Sequence, residues 1–161
     1  MRQKKRKFSA CNMAISFTEI LNSNQSREQK LIQAAEKIRQ AKGYSWVGIY
    51  DVGDKEITNL AWAGRSEPVI HSFPKDKGLN GRAVMKKQSV IVDDIDKDED
   101  YLLTFTDTQS EIVAPVFDAS QTQIVGTIDV ESEMENAFTN EDVIFLEDCA
   151  RKLSGLWSAK T

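Results

Sequence analysis

The segment that most limits what this chain can become is Ser110–Ser132, SEIVAPVFDASQTQIVGTIDVES. It reads as two strands, Glu111–Phe117 and Gln123–Val130, joined by a polar turn, Asp118–Thr122. β-Branched, apolar and ring residues fill both runs, and helix formers are scarce. Neither run alternates cleanly. A continuous apolar strand belongs in a sheet covered on both faces, so the hairpin is expected near the sheet's centre. Carboxylates stand at its ends, Glu111 on one side and Asp129 and Glu131 on the other. Asp129 lies between Ile128 and Val130 and therefore points to the opposite face from both. Inside so apolar a strand a carboxylate is costly without a partner, which makes it the best single hint of a site. Without a ligand, Glu111 and Glu131 would be solvated strand ends and Asp129 the cap of a neighbouring loop.

The rest of the chain reads in order around this hairpin. Residues 8–42 carry helical periodicity. Phe8, Cys11 and Ile15 mark a first amphipathic stretch to about Leu21, NSNQS breaks it, and Ser26 caps a second. Leu31, Ala34, Ala35 and Ile38 line one face of that second helix, and Gly43 ends it. Tyr44–Val52 is a strand with Trp46, Gly48 and Tyr50 on one face and Val47, Ile49 and Asp51 on the other. After the Gly53-Asp54 turn, Glu56–Ala63 is its antiparallel partner, with Ile57, Asn59, Ala61 and Ala63 on one face. Val69–Phe73 is a third short strand. This is a meander, a different plan from a βαβ nucleotide fold. Lys77–Lys87 holds a short helix beginning after two glycines, and a Gly-rich turn of this kind binds anions through exposed N–H groups. No Gly-Lys-Ser/Thr follows, so it is not a Walker loop. Ser89–Val92 is a strand. The acidic run Asp93–Asp100 reads as a solvated loop or loose cap, without EF-hand spacing. Residues 101–108 are a connector without an assigned element. The last helix is capped at Thr139 or Asn140, with Leu146, Cys149, Ala150, Leu153 and Trp157 along one face. The expected organisation is a tail and helix over 1–25 and a single domain over 26–161.

Several chemistries are excluded by the residues themselves. With a net charge of −4 the chain lacks the basic balance of a nucleic-acid binder, and the basic start MRQKKRKFSA reads as a solvated tail. No apolar run approaches a membrane span, and no signal core follows the basic start. The two cysteines, Cys11 and Cys149, form no CxxC pair, which fits a reducing, cytoplasmic setting without zinc or disulfides. Each sits on a helical apolar stripe and reads as a small buried hydrophobe. The single histidine, His71, reads as structural or surface, so Ser-His-Asp and Cys-His mechanisms have no base. No catalytic residue, metal ligand set or cofactor is expected. Paired carboxylates remain, as acid and base or, more simply, as acceptors for an ammonium group.

Over roughly residues 27–158 the chain resembles a GAF domain. The resemblance is carried by SWVGIYDV at 45–52, KGLNGRAVMKKQSVIVDDI at 77–95, SEIVAPVFD at 110–118 and IVGTIDVESEMENAFTNEDVIFLE at 124–147. It implies an α/β (α+β) fold: a central antiparallel sheet of about six strands, terminal helices on one face, and a ligand pocket on the other. Within the family the chain looks most like the free methionine-(R)-sulfoxide reductases. That likeness assigns Glu111, Asp129 and Glu131 to the amino group of a free amino acid, and Trp46 and Tyr50 to the apolar side of the pocket. It also places reductase cysteines at Asn80 and near Thr104, and neither residue supplies a thiol to attack sulfur or resolve the product.

Three functions follow as expectations. The first is a non-catalytic small-molecule-binding sensor or regulatory domain, with Trp46, Tyr50, Asn80, Glu111, Asp129 and Glu131 around an amine-bearing ligand and a signalling partner in trans. The second is a sulfoxide reductase with relocated cysteines. The third is a dimerisation module with a vestigial pocket, the homodimer formed through the terminal helices by Trp157 and the Leu31–Ile38 stripe. Cyclic nucleotides are disfavoured by the acidic lining, although Arg82 and Lys77 offer some positive charge.

Overall fold

A computed structural model describes residues 14–157 of the chain. Their elements are α1 (Thr18–Asn22), α2 (Arg27–Lys42), β1 (Trp46–Val52), β2 (Glu56–Gly64), β3 (Ser72–Pro74), α3 (Gly78–Lys86), β4 (Val90–Val92), β5 (Ser110–Phe117), β6 (Ile124–Ser132) and α4 (Asn140–Leu153). The strands form one six-stranded sheet in the order β3-β2-β1-β6-β5-β4. Every neighbouring pair is antiparallel. The β5–β6 hairpin is therefore interior, as its continuous apolar runs require. This is the α+β arrangement expected from the sequence.

One face of the sheet carries the main core. Val47, Ile49, Ile112, Ala114, Val116, Ile128 and Val130 pack there against Leu31, Ala34, Ala35 and Ile38 of α2 and Phe145, Leu146, Cys149 and Leu153 of α4. Cys149 is fully buried, and burial pushes its thiol up to about 12. Trp157 lies just past α4, almost completely buried, with its ring over Gly126 where any Cβ would collide with it. The Leu31–Ile38 stripe and Trp157 are thus consumed within the protomer. They are not available as the dimer face that the sequence suggested.

Local chemistry fixes the helix ends. Ser26 accepts the Gln29 N–H at 3.2 Å, and the Gln29 side chain returns to the Ser26 N–H at 3.1 Å. Ser26→Ala is expected to lower stability by about 1 kcal/mol, read as a shift in denaturant midpoint at unchanged slope. Thr139 and Asp142 form the equivalent capping box on α4, and Asp142 also accepts the Tyr44 hydroxyl at 2.6 Å.

Four expectations are corrected. The first helix begins at Thr18; over 14–17 the Ser16 hydroxyl instead accepts the Thr18 N–H, a local turn that competes with helix. The part of that stretch over 8–13, including Cys11, lies outside the described residues. Ile57 and Asn59 do not share a face with Ala61 and Ala63. The register slips between Ile49 and Tyr50, so Leu60 is an extra residue and β2 turns over at the bulge. Ile57 thereby joins Trp46 and Tyr50 on the other face. The third strand is displaced to Ser72–Pro74, where Phe73 is buried, and Val69 is exposed in the preceding loop. Helix α3 includes both glycines in its first turn and does not begin after them.

Candidate functional site

The site on the second face of the sheet is built from alternate residues of three of its four inner strands. β1 contributes Trp46, Gly48 and Tyr50; β6 contributes Thr127, Asp129 and Glu131; β5 contributes Glu111 and Val113. Cross-strand pairing sets them side by side: Trp46 opposes Glu131, Gly48 opposes Asp129, and Tyr50 opposes Thr127. On the other side Glu111 opposes Glu131 and Val113 opposes Asp129. Three carboxylates thus meet where the sequence showed them only at the two ends of a hairpin.

One oxygen from each lies within 4.8 Å of the other two, and all three residues are at most 4% exposed. Asn80, in the first turn of α3, donates its Nδ2 to Asp129 Oδ2 at 2.7 Å and accepts the Thr127 hydroxyl on its Oδ1. Thr108 donates its hydroxyl to Glu131 Oε2 at 2.5 Å. Asp129 Oδ1 and Glu131 Oε1 are buried with no N–H donor against them, although the Glu111 carboxyl hydrogen-bonds Asp129 and Thr104 also reaches Glu131. The solvated-end reading of Glu111 and Glu131 is therefore corrected: the strands end inside the protein, because α3 and residues 93–109 cover this face.

Crowding and burial hold protons on the cluster. Burial pushes Glu111 well above the usual carboxylate range, and the charges of Asp129 and Glu131 push it further. Glu131 is pushed up to about 8 by burial and by Asp129, against the opposing pull of its threonine hydrogen bonds. Asp129 rises to about 6 through burial, checked by the Asn80 hydrogen bond. Burial also raises the Tyr50 hydroxyl, and the three neighbouring carboxylates add to it. Asp129 is the member that ionises first.

Aromatic rings wall the site. Trp46 meets Phe105 edge-on at 5.3 Å between centroids and donates its indole N–H to Ser66 C=O at 3.0 Å. Tyr50 lies 5.9 Å from Phe73. Gly48 makes this possible: a Cβ there would stand 2.3 Å from Trp46 Cη2 and 2.8 Å from Tyr50 Cε2. A cavity lined by Tyr50, Ile70, Phe73, Gly78, Leu79, Asn80, Leu102, Thr104 and Glu111 leaves about 10 Å³ for a water centre, near the least that one water needs. The first-turn N–H groups of α3, from Gly78, Leu79 and Asn80, have no acceptor inside the helix, and Lys77 gives no side-chain cap.

All six residues expected at the site, Trp46, Tyr50, Asn80, Glu111, Asp129 and Glu131, lie on this one face. Thr108, Thr127, Phe73 and Phe105 complete it, and none was visible from sequence. Thr108 and Phe105 sit in an irregular connector, and the chain gives no periodicity there from which to place them. The acidic run is not simply solvated: Asp98 and Asp100 clamp Arg82, with contacts of 2.6–2.8 Å. The charge of Arg82 is thus committed and is not offered to a phosphate. His71 is exposed and pairs with Glu67 at 3.1 Å.

The sheet with helices on one face and a pocket beneath α3 on the other is an α+β arrangement. The GAF domain profile matches residues 28–154, and the chain belongs to the GAF domain family. It is similar to GAF domain-containing protein A of Dictyostelium discoideum, 24% identical and covering 88% of each chain. It is also similar to the free methionine-R-sulfoxide reductase of Saccharomyces cerevisiae, 27% identical over 81% of this chain and 72% of the relative. Among solved structures, the free methionine-R-sulfoxide reductase of Neisseria meningitidis in complex with its substrate superimposes with a TM-score of 0.78. It is 26% identical, over 89% of this chain and 84% of that one. The Thermoplasma acidophilum type II enzyme gives a TM-score of 0.76 at 27% identity, over 88% and 94%. Among the described residues, no helix is long and apolar enough to cross a membrane.

Proposed function

We propose that this GAF domain is a non-catalytic binding module whose pocket takes the ammonium group of a small amine-bearing ligand, a free amino acid. The observation that carries this reading is the buried carboxylate cluster, whose Asp129 Oδ1 and Glu131 Oε1 have no N–H donor against them. A primary ammonium brings three N–H donors and a positive charge to that spot. A quaternary ammonium would leave the oxygens unpaired. The uncapped first turn of α3 offers N–H groups to the ligand's carboxylate, and the rings of Trp46, Tyr50, Phe73 and Phe105 take its apolar part. The likeness to free methionine-R-sulfoxide reductases makes methionine and its sulfoxides the first ligands to try.

The reading is non-catalytic because, among the described residues, the side chains facing the triad include no thiol. Cys149 lies on the opposite face of the sheet with its thiol held protonated. A sensor of this kind, placed in the cytoplasm, would pass its state to a partner protein. If it acts as a homodimer through the terminal helices, the contact uses their outer faces, where Ile32 and Ile144 are exposed.

Calorimetric titration with free methionine, its R- and S-sulfoxides and cyclic GMP tests the proposal. Saturable binding of an amino acid, weakened by about 10- to 100-fold in Glu111→Gln, is the expected result, since a hydrogen bond to a charged group is lost. Silence from all four, or binding of cyclic GMP alone, would remove it. Turnover of the R-sulfoxide that vanishes when Cys11 and Cys149 become serine would establish the reductase reading instead.

A further inference from the structure

We propose that residues 98–107 form a strap closed over the pocket and latched at its two ends by arginines, so that ligand reaches the carboxylates only when a latch releases. The inference rests on reading the triad as a binding site. It starts from a conflict of size. The triad is at most 4% exposed and the cavity beside it has room for about one water molecule, so a larger ligand does not fit until the covering segment moves.

The covering segment is held by little backbone pairing. Residues 99–107 make, among the described residues, one backbone–backbone hydrogen bond, Tyr101 N–H to Asp98 C=O at a long 3.5 Å. Yet it delivers the groups that shut the site. Leu102 packs over Gly78, Thr104 stands at the cavity wall, and the Phe105 ring covers Trp46.

Side-chain charge holds its ends. At the first end Arg82, on α3, grips Asp98 with two nitrogens at 2.8 and 2.6 Å and reaches Asp100 at 2.8 Å. A two-pronged pair with partners only 21% and 14% exposed is better anchored than an ordinary surface bridge. At the second end Arg65, following β2, binds Asp107 and Glu133 and stacks its guanidinium 4.8 Å over the Phe105 ring. Arg65 therefore ties the strap to β2, to the chain after β6, and to the aromatic lid of Trp46. Releasing either arginine frees the strap without disturbing a strand or helix.

The Trp46 indole N–H reads this, because Phe105 lies edge-on to the Trp46 ring and the N–H is donated to Ser66 C=O. Its hydrogen exchange is followed by NMR in the ligand-free full chain, with the Trp157 indole under α4 as the internal control. Arg82→Gln and Arg65→Gln are each expected to speed Trp46 exchange by about tenfold or more, with Trp157 unchanged. Raised salt should act in the same direction. Trp46 exchange within about twofold of wild type in both variants, or acceleration shared equally by Trp157, would overturn the strap. Because no ligand is present, the result stands apart from the titrations that test the ligand class.

Discussion

The ligand-free protein is expected to lose stability as the pH rises from about 5 to about 8.5, by about 1.4 kcal/mol per pH unit for each site carboxyl that keeps its proton. In the unfolded chain the three site carboxyls ionise near their ordinary values. In the folded protein Asp129 holds its proton to about 6, Glu131 to about 8, and Glu111 well above the usual range. Between those limits the native state binds more protons than the unfolded one, so raising the pH favours unfolding. The penalty is absent below the unfolded values and grows as the pH climbs through the folded ones. Glu131→Gln should flatten the slope and stabilise the protein at pH 8 while changing little at pH 4.5. Denaturant midpoints across this range check it, and a flat profile for the wild type would contradict the buried, protonated cluster. The same protons oppose an ammonium ligand, which needs ionised acceptors. Amino acid affinity should therefore rise from pH 5.5 to 8, with protons released on binding.

Gly48→Ala is the second change with a large expected effect. Gly48 is opposite Asp129, and the rings of Trp46 and Tyr50 close over its Cα. A methyl group there would lie 2.3 Å from one ring and 2.8 Å from the other. Neither ring can swing away cheaply. Trp46 and Tyr50 are at most 1% exposed, Trp46 is tied to Ser66 through its indole N–H, and Tyr50 lies against Phe73. Overpacking of this kind costs about 1–3 kcal/mol, and moving the rings should also abolish ligand heat. Thermal unfolding and titration of the same sample check both. A substitution that leaves stability and near-ultraviolet dichroism unchanged would mean the rings are loosely held.

Much of the site was legible because it is written in strand alternation. Asp129 between Ile128 and Val130, and Trp46, Gly48 and Tyr50 at every second position, are statements about faces that a period of two fixes. What was illegible came from irregular chain. The bulge at Leu60 transferred Ile57 to the pocket face, and no residue type in EITNLAWA announces it. The acidic run looked solvated because sequence shows charges without their partners; Arg82, sixteen or more residues earlier, is brought against Asp98 and Asp100 by the return of the strap over α3. The Leu31–Ile38 stripe looked like a dimer face for a related reason. Periodicity shows that a face is apolar and is silent on what covers it.

By itself, then, the chain determined the two capped helices and the inner strands, which side of its strand each of Asp129 and Trp46 occupies, and that the β5–β6 hairpin is interior, since short-range periodicity and capping settle these. Register and closure belonged to the tertiary structure. Glu111 and Glu131 are twenty residues apart in sequence and directly opposed in the sheet. Only that pairing, with α3 and the arginine-held strap excluding water above it, turns three ordinary acids into a buried, proton-holding cluster. The physical reason is that desolvation and charge–charge repulsion depend on distance and burial, and neither is a property of a residue's neighbours along the chain.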